Sequence, residues 1–367
     1  MILHSLSIEG FRNYEKDKIT FGPNTNVIIG ENGQGKTNLL EAIYYLTGAK
    51  SFRTRFDREL MGFDREFAHI QGDVFSEDRE QTIGIRLRRG RKKEILLNGV
   101  KEGNSAVLSG KLLATLFSPE DLGLVRDGAA SRRRLMDLAI SQIRPKYALW
   151  LSEFNRLYAH KTRILKDHRD KPTLLDTLDD FNIHLAKAGA QLIYYRAAFV
   201  KKLDEAASIV HRDCSGERET LSIVYETVKT VSDPSEKPSE LFHRLMEHQT
   251  RLRQAELDAG LCLSGAHKDD MIITIGDRPA RMFASQGQVR TAALAIKLAE
   301  REILFQDRGE YPLLLLDDVL SELDVTRQNF VLNRIQEGQV FITCCEDNKI
   351  AQRTGGRIFT VENGKVV

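Results

Sequence analysis

At 367 residues the chain exceeds a typical single core, so two domains are the starting expectation. Hydrophobic residues at 41% and charged residues at 29% fit a soluble globular protein rather than a disordered one. No apolar run reaches the roughly 20 residues needed to span a bilayer. Lys+Arg 54 against Asp+Glu 52 leaves a net charge of +2, so any nucleic-acid surface must come from local clustering. The opening "MILHSLSIEGF" lacks the basic, apolar and small-residue sequence of a secretory leader. Cys214, Cys262, Cys344 and Cys345 form no Cys-x-x-Cys, which fits a reducing cytoplasm and argues against structural zinc.

The first informative stretch is "NVIIGENGQGKTNLLEAIYYL". Gly30, Gly35, Lys36 and Thr37 satisfy G-x-x-x-x-G-K-[ST], behind a short β-branched strand and ahead of a helix with Leu39, Leu40, Ile43 and Leu46 on one face. In such a loop, Gly30, Glu31, Asn32, Gly33, Gln34 and Gly35 turn their backbone N–H groups toward phosphate oxygens, helped by the helix dipole. Lys36 would reach the β- and γ-phosphates of a nucleoside triphosphate, and the Thr37 hydroxyl would bind Mg²⁺.

Basic clusters follow. Arg53, Arg55 and Arg58 come after the first helix. Arg86, Arg88, Arg89, Arg91, Lys92 and Lys93 lie on alternating β-like sequence that turns at Gly90 and again at Asn98-Gly99. Arg132, Arg133 and Arg134 open a helical stretch. Each cluster reads either as a solvated face or as a contact for the phosphate backbone of DNA. No aromatic residues interleave with them in sequence, so base stacking is not expected.

From Ala130 to about Gly260 the period is helical. One helix stops before Pro145, which opens the next; that helix places Tyr147, Trp150, Leu151, Phe154, Leu157, Tyr158 and Leu165 on one face. Leu174, Leu178, Phe181, Leu185, Ala188, Leu192, Tyr195, Phe199 and Leu203 then alternate steps of three and four, so the two helices read as a packed arm with an aromatic core. "ETLSIVYETVK" adds one strand, and a last helix starts near Leu241. His267, Asp269 and Asp270 read as a turn with carboxylate caps more readily than as a metal cluster.

Ser285 and Gln288 have capping-box spacing ahead of an amphipathic helix; the same start could bind a second phosphate group. "LLLLDD" reads as a strand buried on both faces that ends in two carboxylates. Asp317 would complete the Mg²⁺ shell and Asp318 would orient or deprotonate a water, unless both simply cap the strand end.

The order GENGQGKT, ASQGQ, LLLLDD and SELD resembles the ATP-binding-cassette ATPases, in their SMC-like DNA-repair branch. "SLSIEGFRNYEK", "KSFRT", "LFSPEDLGLVRDGAASRRRLMD" and "SGAHKDDM" narrow the resemblance to the RecF family. It runs end to end and is thinnest between about Lys146 and Leu261. It implies an α/β ATPase head (phosphate loop, mixed sheet and β-rich lobe) split by a mainly helical insertion: residues 1–126 and 261–367 for the head, 127–260 for the arm. It further implies that Ser285, Gly287 and Gln288, with Asp324, close over nucleotide held by a second copy. The implied ligands are ATP and Mg²⁺. The implied partners are duplex and gapped DNA, a second copy on ATP binding, and RecR and RecO. The implied activity is weak, DNA-stimulated ATP hydrolysis in recombinational repair and replication. Hydrolysis should be slow: Asp318 replaces the usual Glu, Thr343, Cys344 and Cys345 stand where many relatives have a His, and Ser118–Asp121 offers Glu120 and Asp121 where a Gln loop is usual. The insertion is too short for the rods of SMC proteins and carries no Cys-x-x-Cys hook. A nucleotide-dependent scaffold is the alternative reading, whereas a nuclease-linked head lacks the extra acidic domain it would need.

Overall fold

The structure is a computed structural model that describes residues 1–54, 56–345 and 352–367; Arg55 of the third basic cluster lies outside them. An antiparallel sheet opens the chain, with order β2-β1-β4-β5-β6-β7. Its strands are β1 (Ile2–Phe11), β2 (Tyr14–Thr20), β4 (Phe67–Ser76), β5 (Arg79–Arg88), β6 (Glu94–Leu97) and β7 (Val100–Glu102). Alternation sends Leu6, Ile8, Ile70, Val74, Ile83 and Ile85 inward, where they pack with Leu39, Leu40 and Ile43 of α1 (Lys36–Tyr45). Asn98 and Gly99 both have positive φ, 52° and 80°, as the tight turn joining β6 to β7 requires.

The second sheet has order β15-β14-β3-β13-β12-β8. Its parallel strands are β3 (Thr25–Ile29), β8 (Ala114–Phe117), β12 (Leu313–Leu316), β13 (Val340–Cys344) and β14 (Arg357–Glu362), and β15 (Lys365–Val366) turns back along the edge. In β12, Leu313 and Leu315 join the core with α1, while Leu314 and Leu316 join a second core beyond the sheet. That two-sided burial is why the strand reads as an unbroken leucine run. The carboxyl ends of β3, β12 and β13 converge, which is where open α/β sheets bind ligands.

The helical stretch comprises α2 (Ala129–Ile143), α3 (Pro145–Asp167), α4 (Leu178–Ser215), strand β9 (Leu221–Glu226) and α5 (Pro238–Ala259). Three long helices, not two, form the arm. Gly189 of α4 lies where all three meet: a Cβ there would meet Phe154 of α3 at 3.4 Å and Leu245 of α5 at 3.3 Å. Helix α5 starts at Pro238, earlier than Leu241, because proline suits the first helical position.

This insertion is fused to the second half of the head. β9 pairs with β10 (Asp270–Ile275), which pairs with β11 (Arg278–Pro279), so one sheet crosses the 260/261 boundary. The short α6 (Ala280–Phe283) leads to α7 (Gln286–Arg308), which shares a continuous core with α4. Arg196 of α4 is buried and donates to Asp137 at 2.8 Å, to Asp269 at 2.7 Å and to the Ala266 carbonyl at 2.7 Å. Tyr225 and Thr227 also donate to Asp269, and Asp270 receives Arg132. Asp269 and Asp270 are therefore spent on holding the arm to the second half of the head. No helix among the described residues is long and apolar enough to cross a membrane.

Candidate nucleotide-binding site

The turn from β3 into α1 is built for backbone approach. Gly30 has φ 155°, and a Cβ on it would lie 2.4 Å from the Val361 carbonyl oxygen. Gly35 has φ 119°, with both side-chain heteroatoms of Asn13 at 2.8 Å from the same position. Neither site admits another residue without displacement. The loop's crest is braced from both sides: the Gln34 carbonyl accepts from Asn13 Nδ2 at 2.8 Å and from the Gly364 amide at 2.9 Å. Its Oε1 accepts from the Asn363 amide at 2.6 Å.

Lys36 is buried, and its ammonium donates to the carbonyls of Gly30 at 2.7 Å and Glu31 at 3.1 Å. Cys345 Sγ lies 3.6 Å from the same nitrogen and 2.8 Å from Asn32 Oδ1. Thr37 Oγ1 donates to Asp317 Oδ1 at 2.9 Å, which brings the loop and the strand-end carboxylate together as the sequence implied. Thr343 completes the group. Its hydroxyl donates to Asp317 Oδ1 at 3.0 Å and accepts the Asp318 amide at 2.8 Å. Burial holds the Asp317 carboxyl above the usual carboxylate range; hydrogen bonds from Thr37 and Thr343 oppose the shift, and Asp318 adds to it. A cation bound there would reverse that logic.

Asp318 adopts a left-handed backbone, φ 50°, which a residue without glycine's freedom takes only when its surroundings hold it there. The Thr343 hydrogen bond supplies part of that hold. Among the described residues, no three His, Cys, Asp or Glu side chains converge as a metal site. Thr37 and Asp317 offer two hard oxygen ligands, which suits Mg²⁺ completed by phosphate and water oxygens rather than a metal caged wholly by protein.

The second group forms around the start of α7. Ser285 Oγ accepts the Gln288 amide at 3.2 Å and Gln288 Oε1 accepts the Ser285 amide at 2.7 Å, the expected capping box. Gln288 Nε2 also reaches Glu219 at 2.8 Å. Asp324 caps α8 (Val325–Arg334) and forms an ion pair with Arg327. Arg327 continues to α7, donating to Thr291 Oγ1 at 2.8 Å and to the Gly287 carbonyl at 3.1 Å. The sequence reading missed Arg327, whose role depends on the contact between α7 and α8. Asp121 caps the turn at Ser118 and approaches Lys297 of α7 at 4.0 Å, while Arg126 donates to the Ala284 carbonyl at 3.0 Å. The stretch in the Gln-loop position is thereby tied to the same helix. Among the described residues, no hydrogen bond or ion pair joins Ser285, Gly287, Gln288 or Asp324 to the loop from Gly30 to Thr37.

The family model for the RecF/RecN/SMC N terminal domain matches residues 2–366. The DNA replication and repair protein RecF of Alkaliphilus oremlandii is 38% identical over 368 residues, covering 100% of both chains. The chain belongs to the RecF family. A solved structure of the recombination mediator protein RecF with ATP superposes with a TM-score of 0.91 at 34% identity, covering 100% of this chain and 97% of that one. The Smc head domain of Pyrococcus furiosus shares the fold, with a TM-score of 0.56 at 17% identity, covering 100% of this chain and 96% of that one. The α/β head with its β-rich lobe and helical insertion is thus the architecture of the RecF family and of SMC heads.

The basic clusters divide into exposed and buried members. Arg86, Arg88, Arg89, Arg91 and Lys92 are exposed. Lys93 instead lies over the Tyr45 ring, 4.6 Å from its centroid, where burial lowers its pKa. The clearest correction is Arg132. It is 3% exposed, pairs with Asp270 at 2.6 Å and donates to the Leu124 and Asp127 carbonyls, so it is a core residue and not a DNA contact. Arg133 donates to the Asp269 carbonyl and Arg134 to the Ser51 carbonyl, so both partly serve the fold. His267 Nε2 sits 3.0 Å from the Cys262 carbonyl, and among the described residues it joins no group of three or more potential metal ligands.

Proposed function

We propose that this chain is an ATP-gated DNA clamp of recombinational repair and replication. Two copies would join around two ATP molecules, each held by the loop Gly30–Thr37 of one copy and covered by Ser285, Gly287, Gln288 and Asp324 of the other. The observation that carries this reading is the separation of the two groups. Each is internally braced, yet among the described residues no hydrogen bond or ion pair joins them, which leaves the second group available to a neighbouring copy.

Lys36 would exchange its loop carbonyls for β- and γ-phosphate oxygens, and the loop amides would hold the α- and β-phosphates. Mg²⁺ on Thr37 and Asp317 would supply positive charge to the β- and γ-phosphate oxygens. Asp318, whose carboxylate accepts no hydrogen bond among the described residues, is available to orient a water for attack on the γ-phosphorus and to take its proton. Its short side chain and the absence of a His at Thr343–Cys345 support slow turnover, and stimulation of that turnover by DNA is what the family implies. Loss of the γ-phosphate bridge would then separate the copies and release DNA. The exposed cations from Arg86 to Lys92 support a backbone contact with duplex or gapped DNA, and RecR and RecO are the partners the family implies.

Sedimentation with and without ATP tests the reading: Lys36→Ala should remain monomeric, and Ser285→Arg should bind ATP yet fail to pair. A Ser285→Arg variant that pairs normally would exclude closure by the second copy. A scaffold with incidental DNA contact would show no stimulation of turnover by duplex.

A further inference from the structure

The sequence shows no aromatic residues among the arginines of the hairpin, but the fold brings two to them. Phe63 is 97% exposed, the most exposed large apolar side chain among the described residues, and Phe67 is 46% exposed. Phe63 sits on a turn in which the Arg65 amide donates to the Gly62 carbonyl at 3.0 Å. That turn is fixed from three directions. The Gly62 amide donates to the Gly10 carbonyl at 2.9 Å, the Arg12 amide donates to the Leu60 carbonyl at 2.8 Å, and Met61 is buried beside Phe11. Arg89 reaches over from the hairpin, donating to the Phe63 carbonyl at 3.4 Å and the Arg65 carbonyl at 3.2 Å. An exposed phenyl ring on a braced turn is organised in advance for contact, because little backbone entropy remains to be lost.

Phe67 stands opposite Arg88 in the β4–β5 register, and His69 stands opposite Arg86. Together with Glu9 and Glu66 these residues line an open groove of about 440 Å³ on the outer face of the sheet. Burial and the nearby Arg86 lower the His69 pKa, against an opposing pull from Glu9. Glu66 lies 3.4 Å from Arg89, and Arg65 pairs with Glu15, whereas Arg86 and Arg88 make no ion pair among the described residues.

We propose that Phe63, whose carbonyl holds Arg89, and Phe67, which stands opposite Arg88 with Arg86 on the same groove, form a stacking platform for unpaired bases of a single-stranded DNA segment. The match is chemical: phenyl faces accept bases of any sequence, and unpaired guanidinium groups alongside accept the phosphates between them. A purely apolar partner would leave Arg86 and Arg88 desolvated and unmatched, and duplex alone would leave Phe63 without a base face to meet. This proposal rests on the DNA-clamp reading and sharpens it, because it gives the chain a means of preferring a gap over continuous duplex.

The test is fluorescence anisotropy of the full chain with ATP on two labelled DNAs, one blunt duplex and one duplex with a short gap. Phe63→Ala should lose about tenfold affinity for gapped DNA, the usual scale of one stacked base, with blunt-duplex affinity unchanged. Phe63→Trp should restore it. The pair Arg88→Glu and Arg91→Glu should weaken both DNAs, which reports on the backbone contact separately from the stacking. Equal loss on both DNAs with Phe63→Ala would overturn the platform. So would no loss on either.

Discussion

Thr37 Oγ1 and Asp317 Oδ1 stand 2.9 Å apart although 280 positions separate them in the chain. The bond closes the gap between the two halves of the head, and Thr343 extends it to the backbone of Asp318. The two carboxylates therefore have different tasks, one turned into the network and one left with an unengaged side chain. Asp318→Asn should bind ATP with unchanged affinity, lose about 10²–10⁴-fold in turnover and accumulate as a dimer. Asp317→Asn should instead lose the Mg²⁺ dependence of ATP binding. Nucleotide titration with and without Mg²⁺, beside single-turnover hydrolysis, separates the two.

Arg327 links Asp324 to the first turn of α7 through Gly287 and Thr291. Arg327→Ala should leave ATP binding by the monomer unchanged and weaken ATP-dependent pairing by about tenfold, the scale of lost hydrogen bonds to a charged group. Arg327→Lys should not rescue, because one ammonium cannot span three acceptors in this fork. Sedimentation velocity across ATP concentrations reads the outcome.

Arg132 and Arg88 make opposite predictions from similar sequence surroundings. Arg132→Ala leaves Asp270 with an uncompensated, mostly buried charge and should cost about 3–5 kcal/mol of stability in urea denaturation. Arg88→Glu should leave the urea midpoint unchanged while lowering DNA affinity and flattening its dependence on salt.

Burial pushes the His267 imidazole from its usual 6.5 down to about 4. The unfolded chain therefore takes up a proton first as the pH falls. The stability tied to the neutral ring is complete above pH 6.5 and is lost as the pH drops toward 4, by about 2 kcal/mol between pH 7 and pH 5. His267→Gln, which keeps a donor for the Cys262 carbonyl, should remove that portion of the slope. Urea midpoints of both proteins at the two pH values check it.

Features written in neighbouring residues were legible in the sequence alone. The phosphate loop, the Ser285–Gln288 capping box, Pro145 at a helix start and the Asn98–Gly99 turn each depend on local backbone preference. The two-sided burial of β12 was legible because a parallel strand covered on both faces has no polar alternation. Features that need a partner from elsewhere in the chain were not. Arg132, Arg133 and Arg134 look alike as a run, but successive helical residues point about 100° apart. Leu135, Met136, Ala139 and Ile140 define the inner face, and Arg132 falls on it three and four positions earlier. The pairing of β9 with β10, the bridge from Arg327 to α7 and the approach of Phe63 and Phe67 to Arg88 and Arg89 are all long-range, so no local pattern announces them.

The central claim is that each nucleotide is handled by two copies, and mixing inactive variants tests it most directly. Lys36→Ala disables one half of a site and Ser285→Arg the other, so each variant alone should hydrolyse no ATP. In a mixed dimer both lesions fall on one site and the other is intact; because neither variant pairs with itself, an equal mixture should recover up to about half of the wild-type rate with independent sites. Complete inactivity of the mixture, with both variants folded and binding each other, would contradict the account.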